Sequence, residues 1–371
     1  MVKLTDVAEI KYGCAFDSKS FTDDDSYPQL VRIRDVKRGF SETFYKGEYS
    51  RDYVLSAGDL LVGMDGEFNI ARWKVDGALL NQRVCKIVAR PGTYEEYLRF
   101  ILGKVLKEIE GMTSFATVKH LSAKELNKLE LDMPKYEEQV HRSSVLLKVE
   151  DIIDKRRLQL DNLDELVRAR FVELFGDPLN NTKGWGEQRL GECCVINPKK
   201  NIDSRLEEDL VISFIPMASV SENGEILKLE DRFYRDVKNG FTYFCEGDVL
   251  FAKITPCMEN GKGAVAVGLK NSIGFGSTEF HVLRPIKEKS NSYWLYVLTS
   301  FDFFRKKAEE NMTGSAGQKR VQASFLENIK ISVPPITLQI EFEQFVHQVN
   351  KSKLLAASQP QIHIYKTLTL L

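Results

Sequence analysis

The sequence has almost no excess of charge of either sign. Its 371 residues include 52 Lys and Arg and 53 Asp and Glu, which gives a formal net charge of −1. Proteins that bind nucleic acid often carry a strong positive balance. Any such binding by this chain therefore requires basic side chains that are concentrated locally. At about 100 to 200 residues per domain, the length predicts two or three domains.

Long apolar runs and cysteine pairs are also missing. No window approaches the run of about 20 apolar residues that a membrane span needs, and residues 1–13 lack the apolar stretch of a signal peptide. The six cysteines form no CxxC pair. We interpret them as reduced thiols, as in cytosolic proteins, and expect a cytoplasmic location.

Catalytic motifs are absent as well. The sequence contains no GxxxxGK phosphate loop, no GxGxxG turn, no HExxH pair and no zinc-ligand spacing among its histidines and cysteines. Asn197 begins Asn-Pro-Lys-Lys, which lacks the second proline and the aromatic ring of the base-flipping methyltransferase motif. Glu9-Ile10-Lys11 resembles half of a nuclease site but lacks a second carboxylate from another element. We therefore predict no catalytic residue, no bound metal and no bound cofactor.

What the sequence does contain is an internal repeat with an offset of 200 residues. Over 28 aligned residues, about two identities are expected by chance, and eight are found. The residues of the first copy that recur are Met112, Thr113, Ala116, Lys119, Ala123, Leu126, Pro134 and Gln139. Upstream the offset falls to 189 and then to 186. The chain is therefore predicted to hold two similar modules, with insertions in the second.

Each module is predicted to be a mixed α+β domain, the first over residues 1–134 and the second over residues 188–334. Short apolar or alternating runs between Gly, Asp and Asn turns predict strands. These runs cover residues 29–36, 59–64 and 83–88 in the first module and 211–217, 248–254 and 280–283 in the second. Apolar residues at helical spacing predict one helix over 97–109 and another over 293–309.

A stretch without Gly or Pro, residues 140–175, predicts one long helix with a heptad seam of apolar side chains. Its 36 residues correspond to a rod of about 54 Å, and Gly176-Asp177-Pro178 predicts its end. The resulting organisation is a central spacer helix over 135–176, a linker over 177–187 and a distal helix over 335–371. The residues predicted to pack between the helices are Leu146, Val149, Ile153, Leu160, Leu163, Val167, Leu174, Val346 and Val349.

Two arrangements of these helices remain open. They pair as an antiparallel coiled coil that holds the modules apart, or each packs on its own module. The distal helix is less apolar at the corresponding positions, and Pro360 removes a backbone hydrogen-bond donor. We predict that the distal helix is regular only to about Ala357.

Basic side chains lie at a few positions that suit DNA. Arg32 and Arg34, at i and i+2 of a predicted strand, would share one face; the second module lacks both, which fits either sequence readout or neutral drift. Lys119 and Lys319 occupy matching positions in the two copies. This match is expected for a phosphate contact that both modules share, or for a helix start that faces solvent. Lys262 lies in a glycine loop that either approaches a groove or is only a turn. The complete set of candidate DNA-binding residues is Arg32, Arg34, Lys119, His120, Lys262, Gln318, Lys319 and Arg320.

The two unequal repeats resemble the specificity (S) subunit of type I restriction-modification enzymes. Each repeat ends in a Leu- or Ile-rich run, a proline, a glutamine (Gln139 or Gln339) and a long helix, and residues 163–178 with Gly184-Trp185 are similar to that family's central helix and exit turn. The resemblance implies two duplicated mixed α/β target recognition domains. It also implies that the long helices between them pair as an antiparallel coiled coil.

The resemblance further implies a non-catalytic DNA reader. Each module would recognise one half of a bipartite target in double-stranded DNA, and the helices would set the spacer and dock two methyltransferase (M) subunits. Restriction (R) subunits would join the complex, and SAM, ATP and Mg are expected on these partners. Two alternatives stay open, namely a duplicated scaffold with no DNA role and a restriction-type enzyme with an unrecognised active site.

Overall fold

The chain divides into two units within its long central helix. The computed structural model describes residues 1–112, 120–177, 180–200, 207–315 and 317–357. Among these, unit 1 contains residues 1–155 and unit 2 contains residues 156–357. The division falls inside the long central helix rather than at residue 134 or residue 188, because each half of that helix packs on its own unit.

Unit 1 is a mixed α+β structure built on short strands. The strands are β1 Val2–Lys3, β2 Ala8–Tyr12, β3 Phe21–Thr22, β4 Leu30–Val31, β5 Phe44–Tyr45, β6 Leu60–Gly63, β7 Ile70–Arg72, β8 Leu79–Leu80, β9 Val84–Ala89 and β10 Glu130–Leu131. The helices are α1 Leu4–Val7, α2 Glu95–Met112, α3 Ala123–Leu126 and the first half of α4 Tyr136–Phe175. The main sheet is antiparallel in the order β2-β9-β6-β7, and β1 pairs with β10.

The two faces of this sheet bury different clusters. Along β6, Leu60 and Val62 pack in the core that α2 covers, whereas Leu61 packs in a second cluster around Trp73. Successive side chains of a strand point to opposite faces. The short apolar run of β6 is therefore that of a strand that is buried on both faces along its whole length.

Unit 2 repeats this plan and enlarges it. Its strands are β11 Glu187–Arg189, β12 Cys194–Ile196, β13 Val211–Ile215, β14 Glu230–Phe233, β15 Thr242–Cys245, β16 Val249–Ala252, β17 Gly263–Val265, β18 Ile273–Gly276, β19 Phe280–Pro285, β20 Met312–Thr313, β21 Arg320–Val321 and β22 Lys330–Ser332. Its helices are the second half of α4, α5 Leu190–Cys193, α6 Tyr234–Val237, α7 Ser292–Ser300, α8 Asp302–Glu310, α9 Ala323–Asn328 and α10 Ile336–Ala357.

The strand pairing confirms the duplication. The antiparallel sheet β12-β19-β16-β17 has the order of β2-β9-β6-β7, and β11 pairs with β22 as β1 pairs with β10. Even the register is shared, because Val2 lies opposite Leu131 and Gln188 lies opposite Ile331. Unit 2 also has a second four-stranded sheet in the order β14-β13-β18-β15. Its parallel pair β13–β18 corresponds to the parallel pair β4–β8 of unit 1.

Two predicted elements are wrong in extent. The predicted strand over 29–36 ends at Val31, because the buried Asp35 carboxylate accepts hydrogen bonds from the Arg32 backbone N–H (3.2 Å) and the Ser41 hydroxyl (2.8 Å) and closes a 3₁₀ turn. The predicted single helix over 293–309 is two helices, α7 and α8. They are separated at Phe301, whose backbone is extended (φ −70°, ψ 144°).

The long helices pair within unit 2. The ring centroids of Phe171 and Phe342 are 5.5 Å apart, and Asp164 forms an ion pair with Lys353. Because the residue number rises along α4 as it falls along α10, the pairing is antiparallel. Helix α4 ends at Phe175, where Gly176 has φ +84°, and α10 is described to Ala357. Pro360 lies outside the described residues, so the predicted irregularity there stays a prediction.

Burial along the predicted seam differs between the two halves of α4. Leu146 is fully buried in the core of unit 1, whereas Val346 is buried in the core of unit 2 and Val167 and Leu174 pack against that core. Val349 is buried as well. The seam residues that remain half-buried in the middle of α4 are Val149, Ile153, Leu160 and Leu163. Among the described helices, none is long and apolar enough to cross a membrane.

Candidate nucleic-acid interface

In both units a backbone hydrogen bond joins the end of a central strand to a residue of the repeated segment, Leu121 in the first copy and Val321 in the second. In unit 1 the Leu121 backbone N–H donates to the Met64 carbonyl at 2.8 Å. In unit 2 the Val321 N–H donates to the Lys253 carbonyl at 2.9 Å. These bonds are equivalent in the two copies. They place His120 and Arg320 at corresponding positions beside β6 and β16.

In unit 1 this position carries a cluster of three polar side chains. His120 Nδ1 is hydrogen-bonded to Asp65 Oδ1, and Arg83 Nη1 lies 2.9 Å from His120 Nδ1, 3.3 Å from His120 Nε2 and 3.4 Å from Asp65 Oδ1. An ionised carboxylate only accepts hydrogen bonds. Asp65 is thus the acceptor in this cluster, and the Arg83 guanidinium lies within 3.3 Å of both ring nitrogens of His120.

In unit 2 the equivalent position is a closed ion pair. Arg320 Nε and Nη2 donate to the two carboxylate oxygens of Glu279 at 2.9 and 2.8 Å, and its Nη1 donates to the Gln318 carbonyl at 3.2 Å. The hydrogen bonds from Arg320 hold the pKa of Glu279 below its usual range. All three guanidinium nitrogens of Arg320 are therefore engaged inside the protein.

The glycine loop that carries Lys262 is fixed by a half-buried arginine. Arg305 donates to the carbonyls of Met258 (3.0 Å), Gly261 (2.9 Å) and Ser300 (2.9 Å), and burial lowers its pKa. Gly261 has φ +89°, and a Cβ there would lie 2.4 Å from Arg305 Nη1. Glycine is therefore required at this turn. Lys262 itself is half-buried, next to a loop backbone that Arg305 positions.

The remaining predicted contacts are dispersed. Arg32 and Arg34 are exposed, but the 3₁₀ turn separates them from any common strand face, and Arg34 Nε lies 3.8 Å from the buried Asp35 carboxylate. Gln318 and Lys319 are exposed in unit 2. Lys119 lies outside the described residues.

Sequence reasoning missed Asp65, Arg83 and Glu279. Arg83 precedes β9 and Glu279 precedes β19, and these strands pair in the same register with β6 and β16. Aligning the two copies through that register would have matched Arg83 with Glu279. The sequence matches that define the repeat offsets do not include this segment. No group of three or more His, Cys, Asp or Glu side chains placed to bind a metal is found in the described part of the chain.

The comparisons with known proteins agree with the duplication. The family model for the type I restriction modification DNA specificity domain matches residues 1–162 and again residues 182–362. The type I restriction enzyme EcoAI specificity subunit of Escherichia coli is 43% identical over 163 residues, which is 44% of this chain and 27% of that protein. The EcoEI specificity subunit of the same organism is 40% identical over 163 residues, again 44% and 27%. The chain thus matches about a quarter of the length of these two relatives.

A solved structure is similar over a larger share of the chain. The type I restriction-modification system S subunit from M. genitalium has a TM-score of 0.49 and 13% identity, with 99% of this chain and 92% of that chain covered. The two family matches together take in most of the 371 residues. The chain belongs to the family of the type I restriction modification DNA specificity domain.

Proposed function

We propose that this protein is the non-catalytic, sequence-recognising subunit of a type I restriction-modification complex. Each unit recognises one half of a bipartite target in double-stranded DNA. The observation that carries the proposal is the duplication itself, in which the same sheet order and the same strand-to-loop junction occur in both units with different side chains. A common fold that carries different polar side chains in the two units suits the recognition of two different half-sites.

The helices support a spacing and assembly role. Helix α10 pairs antiparallel with the second half of α4 through aromatic contacts and the ion pair of Asp164 with Lys353, so these helices form a defined platform. The half-buried middle of α4 leaves apolar surface for partners. In this proposal the paired helices set the unspecified gap of the target and dock two methyltransferase subunits. Restriction subunits complete the complex, and SAM, ATP and Mg bind to those partners rather than to this chain.

The proposal is tested by co-expressing the full chain with the methyltransferase subunit encoded beside it and mapping methylated adenines in host DNA. A split motif with a fixed gap, present only when this chain is present, is expected. Exchange of residues 1–134 for those of a relative should change only one half of the motif. A continuous motif, or methylation that does not depend on this chain, would contradict the proposal. Methyl transfer by the chain alone would instead favour an enzyme, and intact folding without any effect on DNA would favour a scaffold.

A further inference from the structure

Arg83 is an exposed arginine in a backbone conformation that arginine rarely adopts. Its φ is +68°, in the left-handed region, and its side chain is 49% exposed. Non-glycine residues in this region cost about 1 kcal/mol or more and persist where the surroundings hold them. The Arg83 carbonyl accepts from the Met64 N–H at 2.8 Å, which ties the backbone of Arg83 to the residue after β6.

The polar contacts of Arg83 involve only one terminal nitrogen of its guanidinium group among the described residues. Among the described residues, Nη1 makes all its polar contacts, with His120 and Asp65, and neither Nε nor Nη2 has a hydrogen-bond partner. Nε and Nη2 form the edge that can donate two parallel hydrogen bonds. In the equivalent cluster of unit 2, Arg320 stands at the position of His120 and Glu279 at that of Arg83, and the Nε and Nη2 edge of Arg320 is closed by both oxygens of Glu279. The two copies therefore differ in whether an arginine fork is open.

The chemistry of this open fork favours a base over a phosphate. Asp65 lies beside Arg83 and offsets its charge, which weakens the attraction to a phosphate anion but leaves the two N–H donors intact. Guanine presents two neutral acceptors, N7 and O6, in the major groove at the spacing of such a fork. The tether through Nη1 also removes torsional freedom before binding, which reduces the entropic cost of a directional contact.

We infer that Arg83 reads a guanine in the half-site that unit 1 recognises, through Nε and Nη2, and that Arg320 makes no corresponding base contact in unit 2. His120 and Asp65 act as positioning residues for this fork. The inference rests on the proposed function and adds to it the base and the side chain that reads it.

Three variants of the full chain, each co-expressed with the methyltransferase subunit, test the inference by mapping methylated adenines in host DNA. Arg83→Lys keeps the charge but loses the two-donor fork. Arg83→Gly removes the side chain and relieves the left-handed φ, so its thermal midpoint should stay close to that of the unmodified protein. Arg320→Lys is the control, because it changes the arginine of the equivalent cluster in unit 2, whose fork is already closed by Glu279.

For the unmodified chain the motif should contain a guanine in the half assigned to residues 1–134. Arg83→Lys and Arg83→Gly should both accept other bases at that one position, with discrimination reduced about tenfold or more, and Arg320→Lys should leave the motif unchanged. An unchanged motif with uniformly weaker methylation would show a phosphate contact and overturn the inference, as would a half-site without guanine or variants that behave like the unmodified chain. In each of these cases the split motif persists, which separates this failure from that of the proposed function.

Discussion

Gln139 and Tyr94 are joined by a hydrogen bond from the Tyr94 backbone N–H to Gln139 Oε1 at 2.8 Å. The same bond recurs in unit 2, from the Asn291 N–H to Gln339 Oε1 at 2.9 Å. Each glutamine also donates to the carbonyl of the proline five residues before it. Backbone N–H groups at the start of a helix lack an intrahelical acceptor. Gln139 therefore ties the start of α4 to the start of α2, and Gln339 ties the start of α10 to the start of α7.

Replacement of Gln339 by leucine should destabilise unit 2. Gln339 is fully buried, so the change leaves the Asn291 N–H and the Pro334 carbonyl without the partner that Gln339 provides. A buried unsatisfied group costs about 1 to 3 kcal/mol. Denaturant unfolding of the full chain should show a loss of this size. Gln348→Leu, an exposed position of the same helix, should change stability by less than about 0.5 kcal/mol; equal losses for the two variants would contradict the role of Gln339.

The antiparallel pairing of α4 with α10 depends on aromatic packing. Phe342 is fully buried, and its ring centroid lies 5.5 Å from that of Phe171 and 5.4 Å from that of Phe175. Phe342→Ala should lower the free energy of unfolding by about 3 to 5 kcal/mol because it leaves a cavity between the helices. Ile340→Ala, at a position that is 44% exposed in the same helix, serves as the control. A similar small effect of both substitutions would show that the helices do not depend on this contact.

Arg305 should control the order of the loop that carries Lys262. Arg305→Lys cannot reproduce the three hydrogen bonds to backbone carbonyls, since lysine has a single ammonium group in place of the fork. We expect a loss of about 1 to 3 kcal/mol and faster amide exchange at Gly261 and Lys262, measured by hydrogen exchange. Lys306→Ala, on the exposed side of α8, should leave both unchanged. Unaltered exchange in Arg305→Lys would mean that the loop is held by its own turn hydrogen bonds.

The sequence was sufficient for those parts of the fold that depend on local pattern. Heptad spacing located α4, and the Gly-Asp-Pro stop located its end, because helix periodicity and capping are properties of neighbouring residues. The break at Phe301 was missed because both flanking segments are apolar at helical spacing. The turn at Asp35 was missed because a single buried carboxylate, not a pattern, ends the strand there.

The polar clusters could not be predicted from local sequence patterns. Asp65 and His120 are 55 residues apart, and Glu279 and Arg320 are 41 apart. Such pairs form only when a strand end and a distant loop meet, so they follow from tertiary structure rather than from spacing. The basic positions at 120 and 320 were found because the repeat marks them. The repeat does not mark Asp65 and Glu279, the carboxylates that contact these two positions.

His281 should make the stability of unit 2 depend on pH in a defined window. The ring is buried, with Nε2 2.8 Å from the Val321 carbonyl and Nδ1 2.9 Å from Asn197 Nδ2. A carbonyl only accepts, so Nε2 carries the proton and Nδ1 accepts from the amide, which is the neutral ring. Burial accordingly lowers the pKa of His281 below its usual range.

The sign of the effect follows from this neutral state. In the unfolded chain a histidine takes up a proton near pH 6.5, whereas the folded chain resists protonation until lower pH. The contribution of His281 is therefore complete above about pH 6.5 and is lost as the pH falls from there through the folded-state pKa, with a slope of up to about 1.4 kcal/mol per pH unit. Denaturant unfolding at a series of pH values from 7.5 to 4.5 should show a steeper loss of stability for the unmodified chain than for His281→Gln, which cannot be protonated at this position. Because all other titrating groups are common to the two proteins, parallel pH profiles would exclude His281 as the source.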